Sequence, residues 1–288
     1  LWSRGLGDVY KRQDRYRVYA LSRTSENFPT LRAMGVIPIP GDLDRLESLN
    51  ALAGLAQDVV HLAPPPGAGS RDTRTAHLIA ALARGEKPAH QLVYISTSGV
   101  YGDCEGDVVT ETRPAKPGTD RARRRADAEQ QLRHWGRRSG VRVTLLRVPG
   151  IYAADRLPIA RLERGTPAIR PEEDSYVNHV HADDLARMVV AALFRGYPNR
   201  SYNAVDDEPQ KMGDYFDLVA DRVGLPRPPR IARSEADSVL PAMLRSFMSE
   251  SRRLSNARIK RELRLRLRYP TVRQGVPLPA ASMSEDAA

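Results

Sequence analysis

The chain is predicted to be an α/β protein built on a doubly wound parallel sheet with a smaller C-terminal lobe. Three observations lead there. Short apolar runs alternate with helix-spaced segments from residue 16 to about residue 150, the pattern of strands joined by crossover helices. The run Leu92–Ile95 stops abruptly in Ser96-Thr97-Ser98-Gly99, as a buried parallel strand does when it enters a polar loop. Beyond residue 150 the alternation loosens, which separates a second, less regular part. Ligands of open α/β sheets bind just past the carboxyl ends of the strands, so the hydroxyls after Ile95 stand where a ligand is expected.

Taken in order, Tyr16–Leu21 reads as a strand, Asn27–Gly35 as a short helix and Val36–Ile39 as a strand ending at Gly41-Asp42. Leu46–Leu55 has helical spacing. Val59–Ala63 is a strand stopped by Pro64-Pro65-Pro66, and Thr73–Arg84 is a helix of small apolar residues. After the Leu92–Ile95 strand, Asp120–Arg138 forms a long charged helix and Val141–Arg147 a strand broken by Pro149-Gly150. Val177–Val180 is a short strand leading into the helix Asp183–Arg195. Met212–Val223 is a further helix, ended by the proline-rich Leu225–Arg230, and Ser255–Arg264 is another. Residues 276–288 are small and acidic and are expected to be disordered.

Composition narrows the function. The 288 residues are 41% hydrophobic and 28% charged, enough for one large core or two intimate ones. No run of about 18 apolar residues exists, so no membrane span is expected. Cys104 is the only cysteine and has no internal disulfide partner, which suits a cytoplasmic protein. The net charge of +10 does not by itself indicate nucleic acid: positive residues are spread along the chain and interleaved with acids, and only five of the 45 basic residues are lysine.

Several segments carry a resemblance. Ser96-Thr97-Ser98-Gly99-Val100-Tyr101-Gly102, Gly41-Asp42-Leu43, His61-Leu62-Ala63, Arg147-Val148-Pro149-Gly150-Ile151-Tyr152, Asn178-His179-Val180-His181-Ala182-Asp183-Asp184 and Arg268-Tyr269-Pro270-Thr271 follow one another in that order. Together they resemble the extended short-chain dehydrogenase/reductase family, the NAD-dependent epimerases and dehydratases of nucleotide sugars. The resemblance implies a Rossmann-type fold and a nicotinamide cofactor. It implies cofactor contacts at Asp42 and Leu43 on the adenine side, at Leu62, Ala63 and Pro64, at Ser96, and at Pro149, Gly150 and Ile151. It places Thr97 at the family's catalytic Ser/Thr, though a turn-capping hydroxyl is an equal reading. The dinucleotide-binding part is expected over 1–150 and 177–205, and the substrate lobe over 151–176 and 206–275.

Two departures stand against the matches. The family's Tyr and the Lys four residues later fall on Arg121 and Arg125 when the helix is anchored on Ala128-Glu129-Gln130. A guanidinium does not shuttle protons near neutral pH. Arg125 keeps the positive charge and a ribose contact open, and Tyr101 is the nearest phenol, either a substitute proton donor or a packing residue. The second departure is N-terminal. Gly5-Leu6-Gly7 resembles the start of the glycine-rich pyrophosphate fingerprint, but Tyr10 stands where the third glycine belongs and no apolar strand precedes Gly5. The opening segment therefore reads as truncated or non-native, and the first strand and turn as damaged.

The end of the second strand selects the cofactor. Ser22 and Arg23 stand there, with no acid before Glu26. A hydroxyl and a guanidinium suit the 2′-phosphate of NADP, where a carboxylate would select NAD. NADP is preferred and NAD stays open. His179 and His181 share a strand face but lack a third ligand nearby, so no metal is expected. Arg121–Arg125 offers guanidiniums to phosphates of the cofactor or of a nucleotide-linked substrate, or forms ion pairs along its own helix. An NADP-dependent oxidoreductase or epimerase-like enzyme and a non-catalytic NADP-binding sensor or scaffold are the two readings. The charged helix Asp120–Arg138 leaves a homodimer open.

Overall fold

A computed structural model describes residues 16–276 apart from 242, 243, 246 and 247. The expected glycines Gly5 and Gly7 and the tail beyond 276 lie outside the described residues.

The expected α/β alternation is present. Strand β1 (Tyr19–Ser22) leads through helix α1 (Phe28–Ala33) to β2 (Ile37–Pro40). Then come β3 (Asp58–His61), α2 (Thr73–Leu82), β4 (Gln91–Thr97), a short strand β5 (Val108–Val109), α3 (Asp120–Ser139) and β6 (Arg142–Val148). The four-stranded sheet has the order β7-β6-β4-β3, with β7 spanning Arg200–Asn203, and every pairing in it is parallel. Strands β1 and β2 form a separate parallel pair. Strand β2 contains Pro38 and Pro40, which donate no ladder hydrogen bond, so it suits an edge position.

Both faces of the main sheet are covered, as parallel sheets require. Alternation along β4 sends Leu92 and Tyr94 to one side and Val93 and Ile95 to the other. Leu92 and Tyr94 pack with Leu78 and Leu82 of α2 and Ala128 and Leu132 of α3. Val93 and Ile95 pack with Met188 and Val189 of the long helix Ala182–Arg195. A third cluster, around Tyr152, Leu162, Phe216 and Val219, is the core of the smaller part.

Element boundaries differ from the sequence reading where side chains override local pattern. Leu46–Leu52 is a 3-10 segment, not an α-helix. The expected strand Val177–Val180 is two strands, Tyr176–Val177 and His179–His181, because each pairs with a different partner. Between them Asn178 donates its side-chain amide to Arg252 O and accepts from Leu254 N–H. Helix α3 matches the reading at its start: Thr119 Oγ1 caps it by accepting from Ala122 N–H at 3.2 Å, and Gly140 closes it at φ +75°.

Candidate cofactor and substrate site

The parallel register brings the carboxyl ends of the four main strands together. His61 lies opposite Tyr94, Thr97 opposite Val148, and Arg147 opposite Asn203. The site grows from these ends.

A groove of about 740 Å³ runs between β1 and β3. The expected cofactor residues Ser22, Arg23, Asp42, Leu43, Leu62, Ala63 and Pro64 all line it. Arg23 is exposed at its rim, and Ser22 Oγ donates to Thr24 O at 2.9 Å. Gly41 holds the turn after β2 where a Cβ would meet Leu21 Cδ1 at 2.7 Å and Ser48 O at 2.9 Å, a close approach that only glycine permits. Arg74 of α2 also lines the groove. It donates to both Asp44 oxygens at 2.7 Å and to Pro64 O at 3.0 Å. That fork holds the Asp44 carboxyl below its usual range. Sequence reasoning missed Arg74 and Asp44, which are 30 residues apart in the chain and carry no local signal.

Behind the strand ends lies a buried polar chain, also missed. Thr75 Oγ1 donates to Asp72 Oδ2 at 2.8 Å, so the His61 Nε2 that lies 2.9 Å from Thr75 Oγ1 is the donor of that contact. Burial, aided by the nearby Arg125 charge, pushes the His61 ring down to about 3, and it stays neutral. His61 packs against Tyr94 with ring centroids 5.0 Å apart. Arg125 Nη1 donates to Tyr94 Oη at 3.0 Å and to Ile95 O at 2.7 Å. The Arg125 guanidinium is thus anchored on β4.

Thr97 is partly buried at the end of β4, where Oγ1 accepts from Gly99 N–H at 3.2 Å. Gly99 abuts the first turn of α3, its Cβ position 3.7 Å from Ala122 Cβ. Pro149 precedes the short strand Gly150–Tyr152, which Gly150 and Ile151 begin and which pairs with His179–His181. A Cβ on Gly150 would meet His179 Cδ2 at 3.0 Å.

Two expected site residues are placed elsewhere. Ser96 is buried, and Oγ donates to Glu129 Oε1 of α3 at 2.6 Å. It shares the strand face of Leu92 and Tyr94, beneath the helix, rather than the cofactor groove. Tyr101 is 1% exposed, and its hydroxyl donates to Asn203 Oδ1 at 2.7 Å while Arg147 lies over its ring at 4.6 Å. Burial raises the phenol above its ordinary value. Of the two readings of Tyr101, the packing one fits these contacts, and the substitute proton donor does not.

His179 stacks on Tyr215 with ring centroids 4.1 Å apart, and His181 packs tilted against Tyr269 at 3.8 Å. His181 Nδ1 also accepts from Asp183 N–H, capping the helix that follows. Among the described residues no three His, Cys, Asp or Glu side chains gather as a metal site.

Residues 6–204 match the model of the NAD dependent epimerase/dehydratase family. The chain belongs to this family. Among its relatives, the protein YeeZ of Escherichia coli K12 is 27% identical over 180 residues, covering 62% of this chain and 59% of YeeZ. The chain therefore spans less than two thirds of that relative's length. A functionally unknown conserved protein from Silicibacter pomeroyi is 32% identical, with a TM-score of 0.74 over 93% of this chain and 92% of that one. The UDP-glucose 4-epimerase of Thermotoga maritima, solved with UDP-glucose, is 18% identical with a TM-score of 0.73, over 94% of this chain and 92% of that one. At that identity the likeness speaks for the fold.

Among the described residues no helix is long and apolar enough to cross a membrane.

Proposed function

We propose that the chain is an NADP-dependent oxidoreductase or epimerase-like enzyme acting on a small, nucleotide-linked substrate without the Tyr-x-x-x-Lys pair. The observation that carries this reading is the groove at the ends of β1 and β3, with Ser22 and Arg23 at its rim.

The residues present fit the adenosine side of a dinucleotide. Leu43 and Leu62 offer apolar walls, and Arg23 offers a fork for a 2′-phosphate where NAD selection would need a carboxylate. When bound, the cofactor supplies hydride acceptance and return. The chain's own residues orient and polarise. Thr97 accepts the Gly99 N–H, which leaves its hydroxyl proton to donate to a substrate oxygen. Arg125, held on Tyr94 and Ile95, keeps a fixed positive charge by the helix and transfers no proton. A second reading, a non-catalytic NADP-binding sensor or scaffold, is favoured by the arginines at both family catalytic positions.

The test is calorimetric titration of NADPH and NADH into the chain and into Arg23→Glu, followed by turnover with carbonyl and nucleotide-sugar substrates. Micromolar NADPH binding that weakens by about tenfold or more in the variant, about 1.4 kcal/mol, with NADH little changed, is expected. Unchanged selectivity overturns the assignment of Arg23. Binding without any turnover favours the sensor.

A further inference from the structure

Arg74 is fixed more tightly than a groove wall requires. All three of its side-chain nitrogens are engaged at once. Nε donates to Asp44 Oδ1 and Nη2 to Asp44 Oδ2, each at 2.7 Å, and Nη1 donates to Pro64 O at 3.0 Å. The N–H bonds of a guanidinium all lie in its plane. These acceptors therefore sit around its edge and leave its two faces for other contacts. Arg74 lines the groove, whereas Asp44 does not, and the Arg74 side chain keeps 20% of its surface exposed. Its neighbours are held as well. His77, one turn further along α2, donates from Nδ1 to Leu43 O at 2.7 Å, which ties the helix to the turn after β2. The first turn of α2 is capped by Asp72, whose Oδ1 accepts from Thr75 N–H at 3.1 Å.

The Asp44 carboxylate balances the Arg74 charge and takes both prongs of its fork, so this guanidinium is a poor receiver for a phosphate. What it offers is a flat, immobile face in a groove that Leu43 and Ala63 also line. Guanidinium planes stack on aromatic rings, and a plane already held in place loses little freedom on doing so. We propose that the face of Arg74 is the platform on which the purine base of the dinucleotide stacks, so that this residue selects a purine at that end of the cofactor. The inference rests on the cofactor reading of the groove given above, and it adds a residue from α2 to those at the strand ends.

Adenosine 2′,5′-bisphosphate and cytidine 2′,5′-bisphosphate carry the same phosphates on different bases. Both are titrated calorimetrically into the full chain, beside NADPH. The adenosine compound is expected to bind about tenfold more tightly, within the range of one stacked base. In Arg74→Lys, which keeps the charge but not the plane, the two affinities should converge, and NADPH should weaken by a similar factor. Arg74→Ala should do the same. It leaves Asp44, whose side chain is 40% exposed, to solvent, so the variant is expected to fold, and its melting temperature checks that. A residue that only clamps the loops would, on removal, weaken both bisphosphates equally and leave their ratio intact, which overturns the proposal. A ratio kept in Arg74→Lys but lost in Arg74→Ala makes Arg74 a charge alone and also overturns it. Equal affinities in the parent, or failure of both compounds to bind, do so too. If NADPH binds in any of these cases, the cofactor reading survives without the platform. If the bisphosphates behave as expected and NADPH does not bind, the cofactor reading fails and the purine platform stands.

Discussion

Asp206 holds a carboxyl that the fold leaves incompletely satisfied. The residue is 2% exposed, one oxygen accepts only a 3.4 Å contact from Glu208 N–H, and Oδ2 is buried with no partner. Burial first, then the neighbouring Asp207, Glu208 and Asp184 charges, push it up to about 8. In the unfolded chain it titrates near the usual ~4. The folded state therefore holds the proton over the range between, and stability falls as pH rises from about 4 to about 8. Asp206→Asn should remove that slope, gaining on the order of a few kcal/mol over the parent near pH 8.5 and little near pH 5. Urea midpoints of both proteins at the two pH values check this, and a flat parent profile would refute it. Asp206-Asp207-Glu208 reads in sequence as an acidic turn, and Asp207 behaves as one, paired to Lys260. Sequence pattern did not reveal that Asp206 turns inward, because its burial depends on its backbone N–H reaching His179 O, 27 residues away along the chain.

At the scale of elements, α3 is fastened to β4 and β6 by one buried cluster. Glu129 accepts both Arg147 nitrogens, Nε at 3.0 Å and Nη2 at 2.7 Å, and the Ser96 hydroxyl at 2.6 Å. The pair is 6–7% exposed. Glu129→Ala would leave the Arg147 charge buried without its counter-ion, a loss of about 3–5 kcal/mol, read as a drop in the urea midpoint at unchanged slope. A loss below about 1 kcal/mol would place the pair in the range of surface ion pairs and sink this account. Helix α3 itself was legible from the acids and bases along it: the expected Asp120–Arg138 is the observed Asp120–Ser139. The destination of Ser96 was half legible. Strand alternation puts it on the face of Leu92 and Tyr94, but nothing local says that a carboxylate from the next helix meets it there. Tyr101 is similar, since its partner Asn203 lies 102 residues on.

At the scale of the whole molecule, the sheet of the described residues is in two pieces. Among the described pairings β1 joins only β2, and β3 joins only β4 on its side of the main sheet. The groove between them is lined by Val18, Ala20 and Leu21 from one piece and Val59, Val60 and Leu62 from the other. Among the described residues neither of these edges has a further strand paired to it, and their backbone donors and acceptors, flanked by apolar side chains, suit a further parallel strand. Placing an apolar strand, a glycine-rich turn and a helix of about ten residues ahead of Tyr16 should raise the melting temperature by several degrees or more. Equal melting temperatures with and without the addition would refute that reading. The groove's mouth, where Arg23 and Asp42 stand, is the part proposed for the cofactor, so the same addition should also tighten NADPH binding.

The sequence by itself determined the α/β class, the order and type of the main strands and helices, and the family, because periodicity and short ordered motifs are local properties. It also exposed the arginines at 121 and 125, since a spacing of four on one helix needs no third dimension. Only the tertiary structure decided which hydroxyls face a ligand and which face a buried partner. The His61–Thr75–Asp72 chain, the Asp44–Arg74 fork and the inward Tyr101 all join residues from separate elements. Hydrogen bonds and charges act through space, and no pattern along the chain records those distances.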